Sequence, residues 1–283
     1  MRATSDAWRI LAATPDDQLD VVTGAALVAK DVYPSLDVEA LVHRVRALGA
    51  PLAGLDLASA PLDDQVAAVS ARFRELGFRG NAESYYDPRN SLLPDVLARG
   101  LGIPITLSIL WCAIAERAGV RASGVSYPGH FVVRVDAAEP IGFVLVDAFD
   151  EGALLDEPRR EALARRTLGA GTAIHPDLLA PASPRAILVR LLGNLKAIHA
   201  SRGDHGRALL AIDRMLTLLP RSTRMLRERA TVSLRLGARE VARADLAKIL
   251  ELEPKAPDAT ALRAQLAALG ASPSRREARK LLD

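Results

Sequence analysis

The chain predicts an α+β domain followed by an all-α domain, and three observations carry that prediction. Helical stripes punctuated by Asp, Pro and Gly run through residues 16–99. One helix and three alternating strands occupy residues 104–147. A helix–turn–helix pattern then recurs at a spacing of 34 residues. The length of 283 residues accommodates two domains of ordinary size. Hydrophobic residues make up 49% of the chain and aromatics only 4%, so its cores rest on Leu, Val, Ile and Ala. Ala, Leu and Arg are strong helix formers, which tilts the balance toward helix.

The elements follow in order. Over residues 16–30, Leu19, Val22, Ala25, Ala26 and Ala29 form a helical stripe. Tyr33-Pro34 ends it, because the residue before a proline is pushed out of the α region. Asp37 is placed to cap a helix over 38–48, and a third helix over 63–76 closes at Gly77. Residues 85–90, with Asp87-Pro88, read as a turn-rich loop, and 91–99 as a short helix leading to Gly100. Pro104 opens a longer helix, since its missing N–H has no partner to lose in the first turn; Gly119 ends it. Residues 120–126, 131–135 and 143–147 alternate as strands. A helix backing such a sheet defines the α+β domain.

Pro176, Pro181 and Pro184 mark a linker. Beyond it, residues 191–220 align with 225–254: Gly203 falls on Gly237, Ala208 on Ala242, Leu216 on Leu250, Leu218 on Leu252 and Pro220 on Pro254. A helix–turn–helix period of this length is the tetratricopeptide signature. Neither unit has the usual tryptophan and tyrosine at its start. Residues 260–269 supply a capping helix for the short array.

Composition excludes several classes. No run of about 18 apolar residues predicts a transmembrane helix. The N-terminus lacks a basic region followed by an apolar stretch, so no signal peptide is expected. The single cysteine, Cys112, forbids an internal disulfide framework and fits a cytoplasmic location. His43, His130, His175, His199 and His205 are scattered without ligand spacing, so no metal is expected. Neither a phosphate loop nor a dinucleotide fingerprint is present, and no cofactor is expected. Net charge is +3, but residues 183–283 carry 20 basic and 10 acidic side chains, while the remainder holds 17 and 24.

The chemistry-bearing stretch lies between Gly102 and Asp150. It reads Gly-Ile-Pro-Ile-Thr-Leu-Ser, then Pro-Gly-His-Phe around His130, then Leu-Val-Asp-Ala-Phe-Asp around Asp147. A helix start, a strand with a histidine and a strand with an aspartate form a layout for nucleophile, base and orienting group. Together with Tyr85-Tyr86-Asp87-Pro88-Arg89-Asn90-Ser91 and Asp95-Val96-Leu97, these motifs resemble the SirB1 family. Its members join a transglutaminase-like domain to C-terminal tetratricopeptide repeats.

The resemblance implies a papain- or transglutaminase-like fold over 1–180, including its helical lead-in, and a repeat domain over 181–283. It also implies that His130 and Asp147 occupy the base and orienting positions. Active relatives carry a cysteine at the start of the central helix, where the helix dipole and the histidine favour the thiolate. Counting back from Gly119 by their spacing lands on Pro104, which offers no nucleophile.

Other residues could replace it. Cys112 lies eight residues further on and reads as a small buried hydrophobe. Thr106 and Ser108 are nearer hydroxyl candidates, although they face other directions and such hydroxyls commonly bond locally. Asn90 and Asp87 could reach the cleft or simply organise their loop. The favoured reading is a non-catalytic protein-interaction adaptor. Its repeat groove would take a protein or peptide, preferably acidic, with Arg221, Arg224 and Arg227 as contact residues. A hydrolase or acyl transferase with a non-standard nucleophile is the first alternative. Nucleic-acid binding through the basic half is the second, weakened by the shortage of aromatics there for stacking.

Overall fold

The structure, a computed structural model, describes residues 2–137, 142–169 and 175–270. The chain divides into two compact units, residues 1–194 and 195–283.

The first unit opens with helices α1 (Arg2–Ala13), α2 (Val21–Val32), α3 (Val38–Ala47) and α4 (Leu62–Glu75). Side chains set their starts. Asp20 accepts from the N–H groups of Val22 and Thr23 at 3.1 and 3.2 Å, so α2 begins five residues later than the stripe suggests; Asp16–Gln18 is a separate 3-10 turn. Asp37 caps α3 through the N–H of Ala40, as expected.

Strand β1 (Arg79–Gly80) leads into the Asp-Pro-Arg-Asn loop, where Asp87 caps a 3-10 turn over Pro88–Ser91. Helix α5 (Leu93–Arg99) ends at Gly100 in the left-handed region, φ 70°. A Cβ there would stand 2.3 Å from the carbonyl oxygen of Gly77, so glycine is required twice over. Strand β2 (Leu101–Gly102) then pairs in parallel with β1.

Helix α6 (Pro104–Arg117) is the core of this unit. Pro104 stands in its first turn, and Leu107, Leu110, Trp111 and Ile114 are fully buried. The Trp111 indole N–H donates to Ser70 Oγ, which donates to the carbonyl of Gly152. Strands β3 (Ala122–Val125), β4 (Val132–Asp136), β5 (Phe143–Asp147) and β6 (Ala153–Leu154) form an antiparallel sheet in sequence order. Val133 lies opposite Gly124 on one side and Val146 on the other. The helix-plus-antiparallel-sheet expectation therefore holds.

Helix α1, strands β1, β2 and β6, and a helix after β6 were not expected. Helix α7 (Glu157–Leu168) is capped by Asp156, whose carboxylate accepts from the N–H of Arg159. Its charged sequence offers almost no apolar stripe, and Ala164 is its one buried residue among those described. Helix α8 (Pro184–Ser201) follows the proline-marked segment.

The second unit contains α9 (His205–Leu218), α10 (Thr223–Arg235), α11 (Arg239–Leu252) and α12 (Ala259–Gly270). Successive helices pack on one another around Ile212, Leu216, Leu226, Ala230, Ala242, Leu246, Ile249 and Leu262. The two repeat glycines, Gly203 and Gly237, have φ 72° and 73°, and Ala208 and Ala242 are both fully buried. A glycine turn followed by a small residue at the tightest contact is what makes the period legible. Arg229 clamps this unit: its guanidinium grips Asp245 through two bonds of 2.6 and 2.9 Å and reaches Asp213 at 2.8 Å. Those carboxylates, Asp245 foremost, hold its pKa above the ordinary value.

Candidate functional site

A tight turn before β4 delivers the histidine. Gly129 takes φ 66°, and the N–H of His130 returns to the carbonyl of Tyr127 at 3.0 Å. Asp147 ends β5 and caps the next 3-10 turn, its Oδ1 accepting the Phe149 N–H at 2.9 Å. The same oxygen lies 2.9 Å from His130 Nε2, and both side chains are 11% exposed. A carboxylate fixed by its own turn thus holds the imidazole. With the Nε2 proton directed at Asp147, Nδ1 is the nitrogen left to accept a proton.

Aromatic rings wall the pair. Phe149 meets the His130 ring edge-on at 6.0 Å and Tyr85 at 6.0 Å. A Cβ on Gly80 would fall 2.6 Å from the Phe149 ring, so β1 passes close beneath it. From the first-unit part of α8, Arg190 Nη2 donates to the His130 carbonyl at 2.5 Å, and its guanidinium lies 5.4 Å from the Phe131 ring centre.

The candidate nucleophiles are distributed differently. Pro104 is buried at the start of α6 and has no reactive atom. The Thr106 hydroxyl is committed to structure: it donates to the Asn90 carbonyl at 2.7 Å and accepts from the Ile103 N–H at 3.2 Å. Asn90 is itself fully buried and tied to Asn81, Ser84 and Arg99, so it organises the loop that locks the start of α6. Ser108 and Cys112, one turn apart, line a cavity of about 780 Å³ shared with Ser123, Phe131 and Ile187. His130 is not among the residues lining that cavity. The Ser108 hydroxyl is buried and has no hydrogen-bond partner among the described residues. Burial, with Glu116 adding, pushes the Cys112 thiol up to about 12. Among the described residues, no Ser, Thr or Cys side chain bonds to His130.

In the repeat unit, Arg227 is half-buried and bonds to Asp258 at 3.0 Å and Glu253 at 3.4 Å. Arg224 is exposed and pairs with Glu228, while Arg221 is exposed. No group of three or more His, Cys, Asp or Glu among the described residues is arranged to hold a metal. No helix among them is long and apolar enough to cross a membrane. The residues that sequence reasoning missed are Phe149 and Arg190. Phe149 sits two positions after Asp147 and was within reach of a motif argument; Arg190, sixty residues from His130, carried no local signal.

A central helix against an antiparallel sheet, with a histidine in the turn before one strand joined to an aspartate at the end of the neighbouring strand, defines a transglutaminase-like unit. Residues 35–193 match the transglutaminase-like superfamily, and residues 195–267 match the tetratricopeptide repeat. A UPF0162 protein of Xylella fastidiosa (strain 9a5c) is 37% identical over 270 residues, covering 92% of this chain and 93% of that one. UPF0162 protein PA3419 of Pseudomonas aeruginosa is 32% identical over 219 residues, covering 77% and 78%. Human F-box only protein 21 is 30% identical over 174 residues, which is 58% of this chain and 27% of that longer protein. The chain belongs to the transglutaminase-like superfamily and, together with its repeats, to the UPF0162 proteins. No solved structure matches it significantly.

Proposed function

We propose that this is a non-catalytic transglutaminase-like protein that acts as an adaptor, with its tetratricopeptide unit holding a protein or peptide partner. One observation carries the reading: the His130–Asp147 pair has no nucleophile bonded to it among the described residues. Pro104 has nothing to offer, the Thr106 hydroxyl is spent on Asn90, and Ser108 and Cys112 line a different cavity. A thiol pushed to about 12 is almost wholly protonated at neutral pH and is a poor nucleophile. The pair then persists as a relic whose use is structural, since Asp147 joins two strands through His130 and caps the turn after β5. Stacked helix pairs expose a groove suited to a peptide or helix, which is why repeats of this kind serve protein interaction. The specific family is that of the SirB1 proteins, and the compartment is the cytoplasm.

The test has two arms. The full-length protein is exposed to amide, ester and fluorophosphonate electrophiles beside a His130→Ala variant. No labelling that depends on His130 is expected; labelling lost in the variant overturns the reading in favour of a hydrolase or acyl transferase. In parallel, partner capture is expected to survive His130→Ala and to fall with Arg221→Glu and Arg224→Glu. Capture indifferent to both arginine reversals would remove the repeat surface from the proposal.

A further inference from the structure

Arg190 and Arg160 differ from the other half-buried arginines of the first unit, and of the two Arg190 stands beside the His130–Asp147 pair. Arg72, Arg99, Arg134 and Arg185, with side chains 17 to 23% exposed, each have a carboxylate within 4 Å: Glu75, Asp87, Asp136 and Asp16 respectively. Arg190 is also partly buried, yet it has no carboxylate partner among the described residues. A guanidinium carries five N–H donors in a rigid fork, and among the described residues this one bonds to the His130 carbonyl alone. Its guanidinium also faces the Phe131 ring, and the Tyr85 phenol is close enough to interact with its charge; neither is an anion at neutral pH. Burial lowers its pKa, the opposite of Arg229, whose carboxylates raise it. A cation taken partly out of water without a counter-charge is an incomplete ion pair.

We infer that Arg190, with Tyr85 and His130 at its side, forms a binding site for a carboxylate group supplied by a ligand. The fork geometry suits a planar two-oxygen anion held by parallel N–H bonds. Tyr85, whose residue is partly exposed, supplies a phenol hydroxyl within the range of the Arg190 charge. The Tyr85, Phe149 and His130 rings stand edge to face in series at 6.0 Å spacings. The site is independent of whether the His–Asp pair is catalytic and of what the repeats bind. The competing role is a strap: Arg190 would do no more than tether the His130 carbonyl, and added carboxylate would leave its guanidinium unmoved.

Nuclear magnetic resonance on the full chain separates the two. Arginine Nε–H and histidine side-chain resonances are followed while three probes are added at matched ionic strength. These are acetate, a tripeptide with a free C-terminus, and a C-terminally amidated tripeptide carrying one internal Glu. A neutral amidated tripeptide, chloride and inorganic phosphate are controls. Saturable movement of the Arg190 and His130 signals with the acids, and not with the neutral amide, is expected; the acid that binds tightest distinguishes a small acid, a chain terminus and a side chain. Arg190→Gln should weaken that binding by about tenfold or more, the loss expected from one charge-assisted hydrogen bond. Arg190→Lys, which keeps the charge and loses the fork, should weaken it less, and it is the deciding variant if Arg190→Gln does not fold. Absence of saturable movement, equal binding in both variants, or equal response to phosphate or chloride would overturn the proposal.

Discussion

At the scale of single residues, the site is governed by what each polar atom has already been given. Asp147 Oδ1 serves two donors, the Phe149 N–H and His130 Nε2. Asp147→Ala strands both inside the protein and is expected to cost about 2–4 kcal/mol in urea denaturation. His130→Ala leaves the Phe149 cap in place and should cost less, which orders the two variants without reference to any activity. Cys112 gives a pH signature. Its thiol is held at about 12 against an ordinary 9.0, so the folded state keeps the proton that the unfolded state loses. The unfolded chain therefore binds fewer protons above pH 9, and stability falls as pH rises from there toward 12. The slope from this group is up to about 1.4 kcal/mol per pH unit. Denaturation midpoints across pH 8 to 11 should flatten in Cys112→Ala, and native Cys112 should resist alkylation at neutral pH until the protein is unfolded.

At the scale of elements, the start of α6 is fastened by the loop before it. Thr106→Val keeps the shape but deletes the bonds to Asn90 and Ile103, and a loss of about 1 kcal/mol in thermal or chemical unfolding is expected. Ser108→Ala, two positions on, removes a buried hydroxyl with no partner among the described residues and should be neutral or stabilising. Gly100→Ala is the severe case, because a left-handed residue and a backbone contact of 2.3 Å coincide. Its expected cost is about 2 kcal/mol or more, and because the Gly77 carbonyl cannot swing aside like a side chain, the pairing of β1 and β2 should loosen in hydrogen exchange. These fastenings were half legible in the sequence. Asp37, Gly100, Pro104 and Gly119 announce element ends through their own backbone preferences. The bond from Thr106 to Asn90 joins residues sixteen apart and leaves no periodic trace, and α7 was invisible because a helix whose one buried residue among those described is an alanine has no stripe to read.

At the scale of the whole molecule, each unit has its own core, and charge is arranged within the units. Arg229→Ala would leave the Asp245 carboxylate, 2% exposed, without its bidentate partner; a loss of about 3–5 kcal/mol is expected. Hydrogen exchange should locate that loss in α9 to α11 and spare α6. The excess of ten positive charges over residues 183–283 is partly offset by local ion pairs among the described residues. Lys196, Arg224, Arg227, Arg229, Arg243 and Lys248 all have carboxylates within 4 Å. Duplex DNA is accordingly expected to be retained weakly and released by about 0.15 M salt, as a filter-binding titration would measure.

The sequence by itself determined the two kinds of architecture, the 34-residue period and the pairing candidates His130 and Asp147. Those properties are local: caps, turns and alternation act over a few residues, and a repeat announces itself by recurring. Only the tertiary structure decided which hydroxyl is spent, which cavity Ser108 and Cys112 line, and that Arg190 bonds the His130 carbonyl with no carboxylate partner among the described residues. Those facts depend on what a side chain meets from distant parts of the chain, because desolvation and hydrogen-bond satisfaction belong to the folded neighbourhood rather than to the residue.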